Sequence, residues 1–338
     1  MYKRPRIGVV NWDAALTDDT YTGKYVIAAL THPNHINRLP YFTKMDENGN
    51  YYFADRTQAE YDRELTLAAD AGIDFFMYCW YPEGKEPRTI GTEATPYLTE
   101  ALADLNRAIH LYQSSEVNRR IKMCAILITS HAYSEKDMDL LTDAMLEDYY
   151  EKKDGRPLVF FFGGYKPYFF SAIRERAQKK GLNPYIVFMN NGPESENGDY
   201  SEADAVSAYA SEVKNVETYE EVTDQTRAQN ENRKKYGVPI LPMLSAGWNP
   251  QPRIDRPVPW YKYKETSYAP HPTGDQMEAA TLDLFRWMEE NKEYVDGDYF
   301  VCFAWNEFEE GGYLCPTLTP SGDMNSDTLD GLSRALKS

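Results

Sequence analysis

The sequence predicts an α/β fold: a single (β/α)8 TIM barrel over residues 1–338, with long aromatic-rich βα loops. Three observations predict it. Strand-sized apolar runs recur eight times, helical periodicity follows at least seven of them, and no G-x-G-x-x-G or G-x-x-x-x-G-K-[ST] turn supports an open phosphate-binding sheet.

The strands are expected at Ile7–Trp12, Ile73–Trp80, Ile121–Thr129, Pro157–Gly163, Tyr185–Met189, Ala203–Tyr209, Val238–Ala246 and Tyr299–Trp305. Several are continuous in Val, Ile and Phe rather than alternating, as parallel strands buried on both faces require. Thr57-x-x-Glu60 and Thr218-x-x-Glu221 read as capping boxes that open helices, and Gly72 closes the first of them. Leu98, Leu102, Leu105 and Ile109 fall at helical spacing, as do Met138, Leu141, Met145 and Tyr149. Further helices are expected over Pro167–Lys180 and Asp275–Lys292, and Leu329, Leu332 and Leu336 stripe a last one that should pack near the first strand. The fifth unit, around residues 191–202, lacks a clear helix.

Two strand-to-helix connections are long. Residues 13–56 place aromatic runs on both sides of Asn48-Gly49, the pattern of a β-hairpin. Residues 247–272 hold six prolines with Trp248, Trp260, Tyr261, Tyr263 and Tyr268. Such loops lie at the C-terminal face of a barrel, where ligands bind.

Composition narrows the ligand. The chain carries 36 Lys+Arg against 53 Asp+Glu, a net charge of −17, which disfavours nucleic acid and anionic lipid. Its apolar runs are strand-sized, so no membrane span is expected. Aromatic residues reach 14%, with 27 Tyr, and amphipathic rings suit wet clefts that stack on sugars. Cys79, Cys124 and Cys302 sit in apolar runs, and with Cys315 no C-x-x-C pair forms. The first residues lead almost at once into a strand, so no signal peptide is read there and the compartment is left open.

The strand ends offer Trp12-Asp13, Trp80-Tyr81, His131, Tyr165, Asn190-Asn191, Trp248-Asn249 and the run Trp305-Asn306-Glu307-Phe308-Glu309-Glu310-Gly311. Aromatic, amide and carboxylate groups converge there while Lys and Arg are nearly absent, a set for neutral, hydroxyl-rich ligands. Paired carboxylates are what glycosidic cleavage requires, one for the leaving oxygen and one for the nucleophile. Glu307, Glu309 and Glu310 are the clustered candidates, although a charge run commonly marks an acidic surface turn. His32-x-x-His35 lacks an intervening Glu and an evident third ligand, and reads as a loop pair held by packing. No metal and no cofactor is expected. G-x-S-x-G and H-E-x-x-H are absent, which removes serine-hydrolase and zinc-protease readings.

Ala304-Trp305-Asn306-Glu307-Phe308-Glu309-Glu310-Gly311-Gly312-Tyr313-Leu314 resembles the Asn-Glu-Trp-x-Glu-Gly signature of WbsX-like proteins and of glycoside hydrolase family 99. Gly72-Ile73-Asp74-Phe75…Tyr78…Trp80-Tyr81, Arg156-Pro157-Leu158-Val159 and Pro242…Ala246-Gly247-Trp248-Asn249…Pro252-Arg253 agree in the same order over most of the chain. The resemblance implies a (β/α)8 retaining hydrolase of α-mannosidic bonds that needs no metal. It implies that Glu307 deprotonates the sugar's own 2-hydroxyl and that Glu310 is the general acid/base. Phe308 stands where the motif has Trp, Glu309 where His or Ala is common, and Cys315 where a Glu often follows, departures that bear on the sugar recognised.

The expectation is therefore a retaining glycoside hydrolase acting on an oligosaccharide or polysaccharide. Glu307 and Glu310 are its catalytic candidates. Trp12, Asp13, Trp80, Tyr81, His131, Asn190, Trp248, Asn249, Trp305, Asn306 and Glu309 are its substrate-binding candidates. A glycosyltransferase and a non-catalytic sugar-binding barrel are the alternatives. Glu310 is expected to hold the proton near neutral pH and Glu307 to be ionised. Trp248→Ala is expected to weaken binding by about 1–3 kcal/mol with little loss of stability.

Overall fold

The computed structural model describes residues 4–12, 21–53, 56–83, 88–91, 103–190, 199–211 and 213–338. Asp13, Asn191, Leu98 and Leu102 lie outside these, as do residues 191–198 of the fifth unit.

All eight expected strands are present: β1 (Arg6–Asn11), β2 (Phe75–Trp80), β3 (Lys122–Ile128), β4 (Arg156–Phe162), β5 (Tyr185–Met189), β6 (Ala205–Ser207), β7 (Met243–Ser245) and β8 (Tyr299–Phe303). β1 to β6 pair in parallel, each with the next, while β8 lies beside β1 and β7 beside β8. β6 and β7 meet at a parallel bridge between Val206 and Ile240, where Val206 N donates to Pro239 O and Leu241 N to Val206 O, both at 2.9 Å. The result is a nearly closed (β/α)8 barrel. β7 is shorter than its apolar run because Pro239 and Pro242 have no N–H to give the ladder. The centre of every strand is buried, which explains why the runs are continuously apolar.

The helices are α1 (Tyr21–Leu30), α2 (Gln58–Ala71), α3 (Arg107–Gln113), α4 (Glu135–Ala144), α5 (Pro167–Gln178), α6 (Tyr219–Arg233), α7 (Gln251–Asp255), α8 (Gly274–Glu290) and α9 (Asp327–Lys337). Both capping boxes form, at Thr57/Glu60 and Thr218/Glu221, and Gly72 ends α2 in the left-handed region at φ 97°. The helix expected to reach Tyr149 stops at Ala144. Residues 149–151 turn instead to serve β3, with Met123 N donating to Tyr149 O at 3.0 Å and Glu151 N to Met123 O at 2.7 Å. Leu105 falls in a 3-10 turn and Ile109 in α3.

In the long connection after β1, Lys44–Met45 pairs antiparallel with Tyr51–Tyr52 around Gly49, so the hairpin is present but short. The last helix, α9, packs on α8 and α2, and Lys337 Nζ donates to Asp70 O at 2.9 Å. Arg4 reaches the same corner, donating to Gly72 O at 3.0 Å. All four cysteines are buried and free. Among the described residues no helix is long and apolar enough to cross a membrane.

Candidate active site

The chain leaves β8 through Trp305 and makes a small hairpin in which Asn306 and Glu307 pair with Tyr313 and Gly312. Its turn is closed by Glu310 N to Glu307 O at 3.1 Å and Gly311 N to Phe308 O at 3.2 Å. This fold-back places Glu307 on the ladder and Glu310 at the turn, both over the barrel mouth. The turn is pressed against the loop after β7: Asn249 N donates to Glu310 O at 2.6 Å. Gly311 has φ 79°, and a Cβ there would stand 2.6 Å from Asn249 N, so only glycine permits this approach.

Below the hairpin lies a cavity of about 220 Å³ lined by carboxylates Glu307 and Glu310, by Arg253, and by rings that include Trp12, Tyr81, Tyr209, Trp248, Trp260 and Tyr263. His131, Cys79, Phe162 and Tyr261 complete much of the wall. Glu307 is 1% exposed, and the Tyr209 hydroxyl donates to its Oε1 at 2.5 Å. Its Oε2 has no hydrogen-bond donor among the described residues and lies 3.6 Å from Arg253 Nη2.

Arg253 is the centre of the electrostatics. It projects from α7, a five-residue helix that Pro250 and Pro252 start. It donates to Glu309 Oε1 at 2.5 Å, to Glu310 Oε1 and to the Tyr263 hydroxyl at 2.6 Å, while Tyr263 also donates to Glu310 Oε1. Its guanidinium lies over Trp12 at 5.3 Å and Trp260 at 5.8 Å. Burial opposes its charge, but Glu310, Glu309 and Glu307 together hold it firmly protonated.

The strand ends were expected to be nearly free of Lys and Arg. The structure adds to that set a buried arginine, Arg253 of α7, which stands between the glutamates. Its charge is met by Glu309 and Glu310, so it presents little cationic surface to an anionic ligand.

The surroundings of Glu307 run against the expected protonation order. Burial first, then Glu310 and Glu309, push the Glu307 carboxyl well above its ordinary range, against the opposing effect of Arg253 and Tyr209. Glu310 accepts from both Arg253 and Tyr263, bonds that favour its charged form. The surroundings of Glu307 therefore favour its protonated form, while the cation is aimed at Glu310.

The remaining sequence candidates divide by position. Trp12, Tyr81, His131 and Trp248 line the cavity, with the His131 ring 5.6 Å from that of Tyr81. Asn249 instead ties its loop together, donating to Ala269 O at 3.0 Å and accepting from Gln251 N. Asn306 accepts from Trp12 N at 2.7 Å and donates to Asn11 Oδ1 at 3.0 Å, fixing the hairpin to β1. Trp305 is fully buried and donates to Glu64 Oε1 at 2.7 Å, inside the barrel wall. Trp80 is 3% exposed and Glu309 is fully enclosed. Neither is among the residues lining this cavity, and nor is Asn190, whose carbonyl accepts from Arg233 at 2.8 Å.

Trp248 packs against Phe303 at 5.7 Å and Tyr263 at 6.3 Å and is 4% exposed. Its removal would leave a void in the wall, an observation that runs against the expectation of little loss of stability.

Sequence reasoning missed Arg253 and Tyr209. Tyr209 ends the sixth apolar run and would have emerged had that strand end been read like the others. Arg253 stood in one of the stretches that carry the family resemblance, with no local sign that it turns inward.

No family model and no curated protein sequence matches the chain. Among solved structures, a GH99 endo-α-mannosidase from Bacteroides thetaiotaomicron aligns over 98% of this chain and 96% of its own, with 14% identity and a TM-score of 0.55. Its complex with bis-tris-propane aligns over 98% and 95%, again with 14% identity and a TM-score of 0.55. At this identity the likeness speaks to the fold.

Proposed function

We propose that this chain is a retaining glycoside hydrolase that cleaves a neutral glycan through Glu307 and Glu310. One observation carries the reading. A buried carboxylate oxygen, Glu307 Oε2, has no donor among the described residues and faces a second carboxylate in an aromatic-walled cavity. A sugar hydroxyl is the donor such an oxygen lacks, and flanking rings match the apolar face of a pyranose. The endo-α-mannosidase activity of the structural neighbour and the Asn-Glu-x-x-Glu-Gly motif support an α-mannoside-like substrate.

In this reading Glu307 takes the proton of the sugar 2-hydroxyl, which displaces the leaving group as a 1,2-anhydro sugar forms, and Glu310 protonates the leaving oxygen. Water then attacks C1 and gives a proton to Glu310 while the C1–O2 bond breaks and Glu307 returns its proton to O2, so the anomeric configuration is retained. The Arg253 and Tyr263 contacts to Glu310 favour a second division of labour, with Glu307 as the acid and Glu310 as the ionised partner.

Leaving-group chemistry separates the two. The acid's Gln variant should keep far more activity on an aryl glycoside, whose good leaving group needs little protonation, than on a natural glycan. The base's variant should lose both. Glu307→Gln and Glu310→Gln should each lose about 10²-fold or more on a glycan identified by a digestion screen. Near-normal turnover in either removes the mechanism. Binding of glycans with no new reducing ends would mark a non-catalytic barrel, and turnover that depends on a nucleotide sugar would mark a transferase.

A further inference from the structure

Two loops that frame the cavity meet a second time, away from the glutamates. His32 and His35 follow α1 in a tight turn, where His35 N donates to His32 O at 2.8 Å and Arg38 N to His35 O at 2.9 Å. Their ring centroids are 5.5 Å apart at 37°. Asp255, the last residue of α7, lies 220 positions further along, yet its Oδ2 is 2.8 Å from His35 Nε2. One possible ligand atom from each of the three side chains lies within 4.8 Å of the others. The sequence shows two histidines and no third partner. The fold supplies it.

We propose that His32, His35 and Asp255 form a binding site for a divalent transition-metal ion, with Zn²⁺ the best match, that fastens the loop after β1 to α7. Two imidazole nitrogens and one carboxylate oxygen are a donor set that zinc takes, at about 2.0–2.2 Å from each, leaving a fourth position for water. Ca²⁺ and Mg²⁺ favour all-oxygen shells and fit this set poorly. Tetrahedral ligands at those lengths stand roughly 3.4 Å apart. The His35–Asp255 edge is already shorter than that, at 2.8 Å. The wider edges close by side-chain rotation of His32, which is half-buried, and of Asp255, which is exposed, while buried His35 stays fixed.

The consequence is positional. Arg38, three residues after His35, donates to Asn249 O at 2.7 Å, and Arg253, two residues before Asp255, holds Glu309 and Glu310. An ion at the cluster would fix the spacing of the two segments from which both arginines reach the hairpin. The proposal stands on this cluster alone and does not depend on the hydrolase reading.

The test is titration calorimetry of the full chain, stripped with a chelator, against ZnCl₂, CaCl₂ and MgCl₂ separately. One zinc per chain is expected, with no comparable calcium or magnesium binding. Zinc affinity should fall at least tenfold in both His32→Ala and Asp255→Asn, which change accessible side chains, and be lost in the double variant. Without metal, both single variants should melt with the parent, and zinc should raise the melting temperature of the parent alone. Absence of stoichiometric zinc binding in the parent would overturn the proposal. So would zinc binding that persists undiminished in the double variant.

Discussion

The Tyr209 hydroxyl donates to Glu307 Oε1 at 2.5 Å, joining the end of the sixth strand's run to the hairpin after the eighth. This bond favours the Glu307 carboxylate against burial and against its acidic neighbours. Tyr209→Phe should therefore push the Glu307 titration further up, moving the corresponding limb of the pH–rate profile to higher pH. The profile reports the pair with Glu310, so the shift is read on the macroscopic curve. An unmoved or lowered limb contradicts the assignment.

Glu307 also makes a stability prediction. Its carboxyl is raised above the unfolded value, so the folded chain binds this proton more tightly than the unfolded chain does. The stability it contributes is present below the ordinary carboxylate range and is lost as pH climbs through the raised value. Glu307→Gln removes that loss. The variant should melt above the parent, by a margin that widens from about pH 5 upward, while turnover collapses. Thermal melts at several pH values check the sign, and a margin that narrows with rising pH counts against it.

Arg253 is bonded to two of the three glutamates and close to the third. Arg253→Met leaves the Glu309 and Glu310 carboxylates uncompensated and should cost about 3–5 kcal/mol in urea unfolding. Arg253→Lys should recover only part of it, because an ammonium cannot present the planar fork that serves Glu309 and Glu310 together. A methionine variant as stable as the parent would show that Glu309 and Glu310 do not need the Arg253 charge in the fold.

Two aromatic residues of the cavity should part company on substitution. Tyr261 is 48% exposed, whereas Trp248 is 4% exposed. Tyr261→Ala should weaken glycan binding with little change in melting temperature. Trp248→Ala should destabilise by about 3–5 kcal/mol as well, since it empties a packed site. Calorimetric binding per folded molecule, set beside thermal melts, separates the two effects.

Trp305 and Glu64 share a bond inside the wall, and Glu64 is also paired with Arg56. Trp305→Phe removes the indole donor and should cost about 1–3 kcal/mol of stability. Kinetic constants per folded molecule should be unchanged. A selective loss of turnover would place Trp305 in the substrate site after all.

The barrel was legible because its signals are local. Continuous apolar runs mark doubly buried strands, and the boxes at Thr57/Glu60 and Thr218/Glu221 satisfy helix amides within four residues of chain. Where a local signal met a competing partner it failed. The helical stripe through Tyr149 breaks because β3 claims the backbone of that segment. The apolar run at Val238–Ala246 gives a short strand because prolines interrupt its donors.

The sequence by itself determined the eight strands, most of the helices around them and the clustering of Glu307, Glu309 and Glu310 after the last strand. Tertiary structure alone decided what surrounds those glutamates. Arg253 and Glu310 are 57 residues apart, Tyr209 and Glu307 are 98, and His35 and Asp255 are 220. Closing the barrel brings these pairs together, and only burial makes their charges interact strongly enough to set a protonation state. Periodicity reports what a residue's near neighbours require. The environment of a buried charge is set by whichever distant groups the closed sheet turns toward it.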